Sequence, residues 1–537
     1  MPSFRLLKSV FLFSLCSGFY PNLEILAQQE KPDFFTISKI KDIAFNHSHV
    51  MDNLFNLTDV CGPRLTGSSN LKNAQEWACK QMKDWGLVNV NREAWGGFGK
   101  GWEIQKSYIA MTQPYYQELV AVPKAWTPGT NGLVSASVVL VRIESESDMD
   151  KYKGQLKGKI IVLPGTTTEM KLGLKPDATR YTEEELQNLY KDKSLDEKSD
   201  ERSPADIEKL KAARKLRMKV NIFLSDENAL AVISGRGNTM GTLFTTNGAS
   251  YAVAAKPVLP EMEMSPEHFN RIIRLLDAKK DVHLDMEIAT KFSEQDTLQY
   301  NVVAEIPGTD NVLKNELVII GAHMDSWHSA TGATDNAAGC AVMMEAMRIL
   351  DTLMLKPRRT IRIVLWSGEE QGLLGSKGYV KNHFADPVTM QLKPEHAKVS
   401  AYYNLDNGGG KIRGIYLQGN DAMRPLFESW LNPFHDLGAT TVTTRSTGST
   451  DHIAFDEVGI PGFQFIQDPM DYFSRTHHSD LDTYDRLQKA DLMQASAIIA
   501  SFVYATAMSE QKIIRKPLPQ AKPKPIEKTG NGTVPAR

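Results

Sequence analysis

From about residue 295 onward, short apolar runs alternate with helix-like stretches, and the apolar runs give way to acids and histidines. Glu316 to Gly321, Thr360 to Trp366, Val399 to Leu405 and Gly462 to Ile466 read as strands. Asn336 to Leu350 and Leu487 to Ala507 read as helices, the first with Met343, Met347 and Leu350 at core spacing. Strands joined through helices imply an α/β fold, with helices on both faces of a mixed sheet. In an open sheet of that kind, ligands collect in the crevice beyond the carboxyl ends of the strands.

The polar strings at those ends are chemically specific as a set. His323 and Asp325 follow the strand ending near Ile320. Asp335 stands just before a helix, and Glu369 and Glu370 follow the strand ending at Trp366. Asp406 follows the strand ending near Leu405, and His477 and His478 lie in a loop after the last strand. Taken singly, each has an ordinary reading: Asp335 as a helix N-cap, Asp406-Asn407-Gly408 as a turn, the Glu and His pairs as solvated surface. All five groups falling at strand ends or helix starts is a different matter. Imidazoles and carboxylates brought together there suit a pair of zinc ions, with a spare glutamate as general base for hydrolysis.

The strings GAHMDSW, GATDNAAG, WSGEEQGLLGS, NLDNGGG, STDHIAF and HHSDLDT, spread over roughly residues 300 to 490, resemble the zinc aminopeptidase-like exopeptidases that use two co-catalytic zincs. The segment Gly62 to Ser68 is similar to the family's opening. The resemblance implies two Zn2+ per chain, with Asp335 bridging, His323 and Asp406 completing one position, and Glu370 and His478 the other. Glu369 would be the general base, and Asp325 would orient His323. His478 is preferred to His477 because only His478 has Asp482-Thr483 at the family's offset. His477 either contacts the tetrahedral intermediate or supports the loop, and support is favoured. Asp451 and His452 resemble a motif near the substrate pocket, where a zinc role for His452 is not expected. The implied activity is hydrolysis of dipeptides or short peptides, as a carboxypeptidase or dipeptidase, with an aminopeptidase as the alternative. An inactive binding protein of the same fold, or a single-zinc acyl-transferring relative, fits the complete ligand set less well. A homodimer is compatible with the resemblance.

The remainder of the 537 residues is organised around this half. Arg5, Lys8 and the apolar run Val10 to Tyr20, with Ile25-Leu26-Ala27 as a cleavage site, read as an export signal over 1–27. Residues before Cys16 match a lipidation signal poorly. No later segment reaches about 18 unbroken apolar residues, so no membrane span is expected. Residues 33–125 form the first part of the peptidase domain, with helices over Ile40 to Leu57 and Asn70 to Trp85 and a Gly-rich loop around Gly96 to Gly101. Residues 126–284 are expected to be an inserted, β-rich domain resembling a protease-associated domain. Its strands fall at Leu133 to Arg142, Gly158 to Pro164 and Asn228 to Ser234, and a charged, solvated helical insertion lies at about 170–218. The catalytic part spans 285–512, and 513–537, rich in Pro and Lys, is expected to be disordered. Cys61 and Cys79 either pair or remain buried thiols, and Cys340 belongs to a helix core. A net charge of −2, with no basic stripe, excludes nucleic acid as a partner.

Overall fold

The computed structural model describes residues 31–165, 175–191, 203–235 and 240–521. The expected export signal at 1–27, with Cys16, lies outside them, as does the tail from 522. Among the described residues two eight-stranded sheets dominate. In the first, the strand order is 88–97, 298–306, 360–366, 317–323, 399–404, 462–467, 412–416 and 441–443. The strands 360–366, 317–323, 399–404 and 462–467 run parallel to one another, and the flanking pairs 88–97 with 298–306 and 412–416 with 462–467 are antiparallel. The sheet is therefore mixed, as the alternation implies.

Period-two burial explains its layers. Val318, Ile320, Ala322, Ile361, Ile363, Leu365, Ala401 and Tyr403 point to one side. There they pack under the helices Ala338–Thr352 and Lys489–Met508 and the helices of the first 85 residues. Leu317, Ile319, Val364, Trp366, Val399 and Tyr402 point to the other, under Leu374–His383 and His452–Asp456. Lys489–Met508 is long and apolar enough to cross a membrane. With 78% of its apolar window buried inside the fold, it is a core helix here.

The second sheet runs 117–118, 101–113, 283–293, 134–140, 160–163, 231–235, 261–264 and 121–123. It takes in the long antiparallel pair Gly101–Gln113 and His283–Ser293, so the boundaries expected at 126 and 284 fall inside the sheet. The chain leaves the first sheet after Gly97 and enters the second at Gly101, so the expected Gly-rich loop narrows to residues 98–100. Glycine is required at that crossing, because a Cβ on Gly101 would collide with the Gly67 carbonyl. The charged stretch contains the helices Glu183–Tyr190 and Pro204–Asp226, the first opened by a capping box between Thr182 and Glu185.

Two further expectations are corrected, for the first long helix and for the tail, and of the two alternatives left open for the cysteines the structure has the second. The helix expected over Ile40 to Leu57 is broken at His47-Ser48-His49 into Phe34–Asn46 and Val50–Phe55. Cys61 and Cys79 are separate buried thiols. Residues 513–516 are held rather than loose: Ile513 is buried, Arg515 donates to the carbonyls of His396 and Val399 at 2.8 and 2.7 Å, and Lys516 pairs with Asp456.

Candidate metal centre

The three central parallel strands end together, His323 level with Trp366 and Gly321 level with Asn404. Their shared register carries His323, the Glu369-Glu370 turn and Asp406 to one rim of the sheet. Asp335 reaches the same rim from the turn Ala333–Ala337, which precedes the helix Ala338–Thr352. Asp335 does not cap that helix. Asn336 does so: its Oδ1 accepts from the Gly339 N–H at 3.0 Å, while its Nδ2 donates to the Leu405 carbonyl at 2.9 Å. The Asp335 carboxylate is left to face the crevice.

Asp335 divides its two oxygens between two donor sets. Oδ1 lies 3.2 Å from His323 Nε2, which is itself 3.3 Å from Asp406 Oδ1. Oδ2 lies 3.3 Å from His478 Nε2, which is 2.9 Å from Glu370 Oε2. Donors about 2.0–2.1 Å from a tetrahedral ion sit about 3.3 Å from one another, so His323, Asp335 and Asp406 have the spacing of ligands around a cation, and around His478 both Asp335 and Glu370 lie at ligand-to-ligand distance from its Nε2. Asp335 Oδ2, Glu370 Oε1 and Asp406 Oδ1 are buried without a hydrogen-bond partner. A buried carboxylate oxygen in that state is costly unless a cation or donor meets it. The residues present therefore fit a divalent metal in each set, and their mixture of imidazole and carboxylate is one that zinc accepts.

His477 is close as well: with Asp335 and His478 it forms a trio whose ligand atoms all lie within 4.8 Å of one another. Its Nε2 is 3.9 Å from Asp335 Oδ2, and its ring stacks between Tyr472 and His478, with centroids at 4.7 and 3.8 Å. His452 falls outside both sets, buried against Gln418 and the Thr447 carbonyl. Burial lowers its pKa to about 4. Asp451 is fully buried beside the site, and burial pushes its carboxyl up to about 7.

Glu369 stands across from the first set, with Oε2 4.0 Å from His323 Nε2. Burial pushes its carboxyl well above the ordinary range. Asp406 and Asp451 add to the shift and His323 opposes it. Burial raises Glu370 likewise, helped by Asp335. For Asp335 burial works against ionisation, yet the His323 hydrogen bond and the rings of His478 and His477 hold its carboxyl below the usual range. Burial disfavours a charge on His323, but Asp406 and Glu369 carry its pKa well up. Burial keeps His478 below its ordinary value.

The supports of the site differ from the sequence expectation. His323 Nδ1 hydrogen-bonds to the Asp325 backbone carbonyl at 2.9 Å, while the Asp325 carboxylate stands 3.7 Å away. That carboxylate accepts instead from Thr66 Oγ1 at 3.0 Å and from the N–H groups of Glu369 and Glu370 at 3.3 and 3.2 Å. It thus fixes the turn that presents both glutamates. Asp482, used in the sequence only to set a register, accepts from the N–H groups of Thr334 and Asp335 at 2.6 and 3.0 Å and so holds the shared carboxylate in place.

Arg64 was legible only as part of a turn. It is fully buried, and its guanidinium donates to the carbonyls of Leu57, Met324, Thr331 and Gly332 at 2.6 to 2.8 Å. Arg64→Ala would leave several buried carbonyls unpaired, each costing roughly 1–3 kcal/mol. We expect a loss of about 3–5 kcal/mol in a denaturant titration, in the range for breaking a buried network. A loss under about 1 kcal/mol would contradict this role.

A mixed α/β sheet whose parallel strands deliver two carboxylate-linked donor sets to one rim is the frame of a metal-dependent hydrolase. Residues 301–503 match peptidase family M28, and the matched stretch contains every residue of both donor sets. Carboxypeptidase Q of Mus musculus is 26% identical over 86% of this chain and 86% of its own. A peptidase M28 precursor from Shewanella amazonensis SB2B superposes with a TM-score of 0.63 at 26% identity, covering 90% of this chain and 98% of its own. A zinc aminopeptidase from Bacillus subtilis shares the fold, with a TM-score of 0.53 at 19% identity over 86% of this chain and 95% of its own.

Proposed function

We propose that the protein is an exported, zinc-dependent exopeptidase that hydrolyses dipeptides or short peptides. The observation that carries this reading is the division of Asp335 between the two donor sets, with Glu369 beside them. In it, His323, Asp335 and Asp406 hold one zinc, and Asp335, Glu370 and His478 hold the other. Three protein donors leave a position open in each set, the pattern of a catalytic rather than a structural site. Bound there, the pair of zincs supplies a water acidified towards neutral pH and positive charge opposite the developing oxyanion.

The protein's own groups do the rest. Glu369 takes the proton of the attacking water and delivers it to the leaving amine, a task suited to a carboxyl whose burial favours holding a proton. Asp325 keeps Glu369 and Glu370 in register by gripping their N–H groups. The Asp325 carbonyl sets the His323 tautomer by accepting from Nδ1–H, which leaves the Nε2 lone pair for the metal. His477 braces the His478 ring, and the buried Asp451 carboxylate acts on Glu369 through its charge. Residues 101–293 are read as the protease-associated module, and residues 1–27, with Arg5 and Lys8 before their apolar run, as the export signal.

Near-full-length likeness to carboxypeptidase Q supports a carboxypeptidase or dipeptidase. A likeness covering 44% of this chain, to aminopeptidase YwaD of Bacillus subtilis, supports the alternative. A free dipeptide, its N-acetyl form, its C-terminal amide and an aminoacyl-anilide separate them. A carboxypeptidase tolerates the acetyl group but not the amide, a dipeptidase tolerates neither, and in both cases the anilide is expected to stay intact. Turnover of the anilide together with loss of the acetylated substrate would establish an aminopeptidase.

A further inference from the structure

The loop that carries His477 and His478 is held from outside the first sheet. On one side, Thr179 and Met470 exchange backbone hydrogen bonds at 3.0 and 2.8 Å, and Ser474 Oγ donates to the Asp177 carbonyl at 2.8 Å. Arg180 donates to Asp468 at 2.8 Å and to Asp491 at 2.7 Å, anchoring that segment to the catalytic half. On the other side, the Leu243 N–H donates to Asp480 Oδ1 at 2.8 Å and the Asp480 N–H to the Leu243 carbonyl at 3.0 Å. The Thr245 N–H donates to the carbonyl of His478 itself at 2.8 Å. Both gripping segments, 177–181 and 240–245, lie between strands of the second sheet in the chain.

One side chain joins the two. Arg475 Nε donates to Asp177 Oδ2 at 2.9 Å, and Nη1 donates to the Met240 carbonyl at 2.8 Å and to Thr242 Oγ1 at 2.9 Å. It sits in the turn Tyr472–Thr476, which ends on His477. His478 occupies a left-handed backbone conformation, φ +59°, which a non-glycine residue adopts at a cost and keeps when its surroundings fix it.

We propose that the second-sheet region is a structural part of the metal centre. Segments 177–181 and 240–245 clamp the loop 470–480, and Arg475 is the positioning residue that sets how firmly His478 meets its metal. The inference rests on the two-metal reading above. It assigns the clamp to one metal position only, since His323 and Asp406 are carried by the central strands and do not touch it.

The test is a two-step zinc titration of the whole protein against a chromophoric chelator. It compares wild type with Arg475→Ala, Arg475→Lys and Asp177→Asn, with thermal melts recording that each is folded. Arg475→Ala is expected to weaken one zinc step by roughly 10- to 100-fold, the usual effect of removing a support behind a ligand, and to leave the other step unchanged. Arg475→Lys, which keeps the charge but not the fork, should fall between. Asp177→Asn, the milder change, should weaken the same step and keeps the test open should Arg475→Ala not fold. Wild-type affinities in both Arg475→Ala and Asp177→Asn, or equal weakening of both steps, would overturn the clamp while leaving the two-metal reading intact. A wild-type protein that binds no zinc would instead overturn that reading, and the clamp with it.

Discussion

Glu369→Gln is expected to bind as much zinc as the wild-type protein and to lose roughly a hundred- to ten-thousand-fold in kcat, the range for removing a positioned acid–base group. The side chain keeps its size and its place beside His323, so substrate binding and KM should change little. What is lost is the ability to accept a proton and return it. Metal analysis and steady-state kinetics on the same sample make the comparison. Near-normal turnover in a metal-replete variant would remove Glu369 from the chemistry and shift the search for the base to Asp451, a carboxyl outside both donor sets that burial raises beside the site.

Asp335→Ala should have the opposite signature. Its carboxylate is the one group common to both donor sets, so its removal takes a ligand from each. Each set would be left with one imidazole and one carboxylate, fewer than the three donors of a catalytic zinc site. The variant should retain well under one zinc per chain and show no chelator-sensitive hydrolysis. Asp406→Asn, which touches only the His323 set, should keep about one. An Asp335→Ala protein that still held two zincs would mean that the two sets do not share a ligand.

The legible part of this molecule and the hidden part differ for a physical reason. Parallel strands buried on both faces read as unbroken apolar runs, so 317–323, 360–366, 399–404 and 462–467 stood out, and with them the acids at their ends. Val88–Gly97 is only sparsely buried, and the Gly-rich sequence after it looks like a loop, so the first edge strand and the strand from Gly101 escaped notice. The second sheet therefore begins ahead of the boundary expected at 126. The donor residues could be named because their chemistry resides in their side chains. Asp325 and His477 apart, their supports could not, because much of the support comes from backbone groups: the N–H groups of Thr334 and Asp335 on Asp482 and the Thr245 N–H on His478, while Asp325 itself reaches His323 through its backbone carbonyl. Arg64 was missed for a related reason. A buried arginine bonded only to carbonyls has no acidic partner in the sequence to betray it. The start of the tail, 513–516, departs from the expectation because composition describes an isolated chain, whereas Arg515 and Lys516 find carbonyls and a carboxylate on the surface they cross.

The most direct test of the central claim is anomalous diffraction at the zinc edge on crystals of the wild-type protein. Two peaks should appear roughly 3.5–4 Å apart, the separation of co-catalytic metals, one beside each carboxylate oxygen of Asp335. A single peak, or a pair that does not straddle Asp335, would contradict the account.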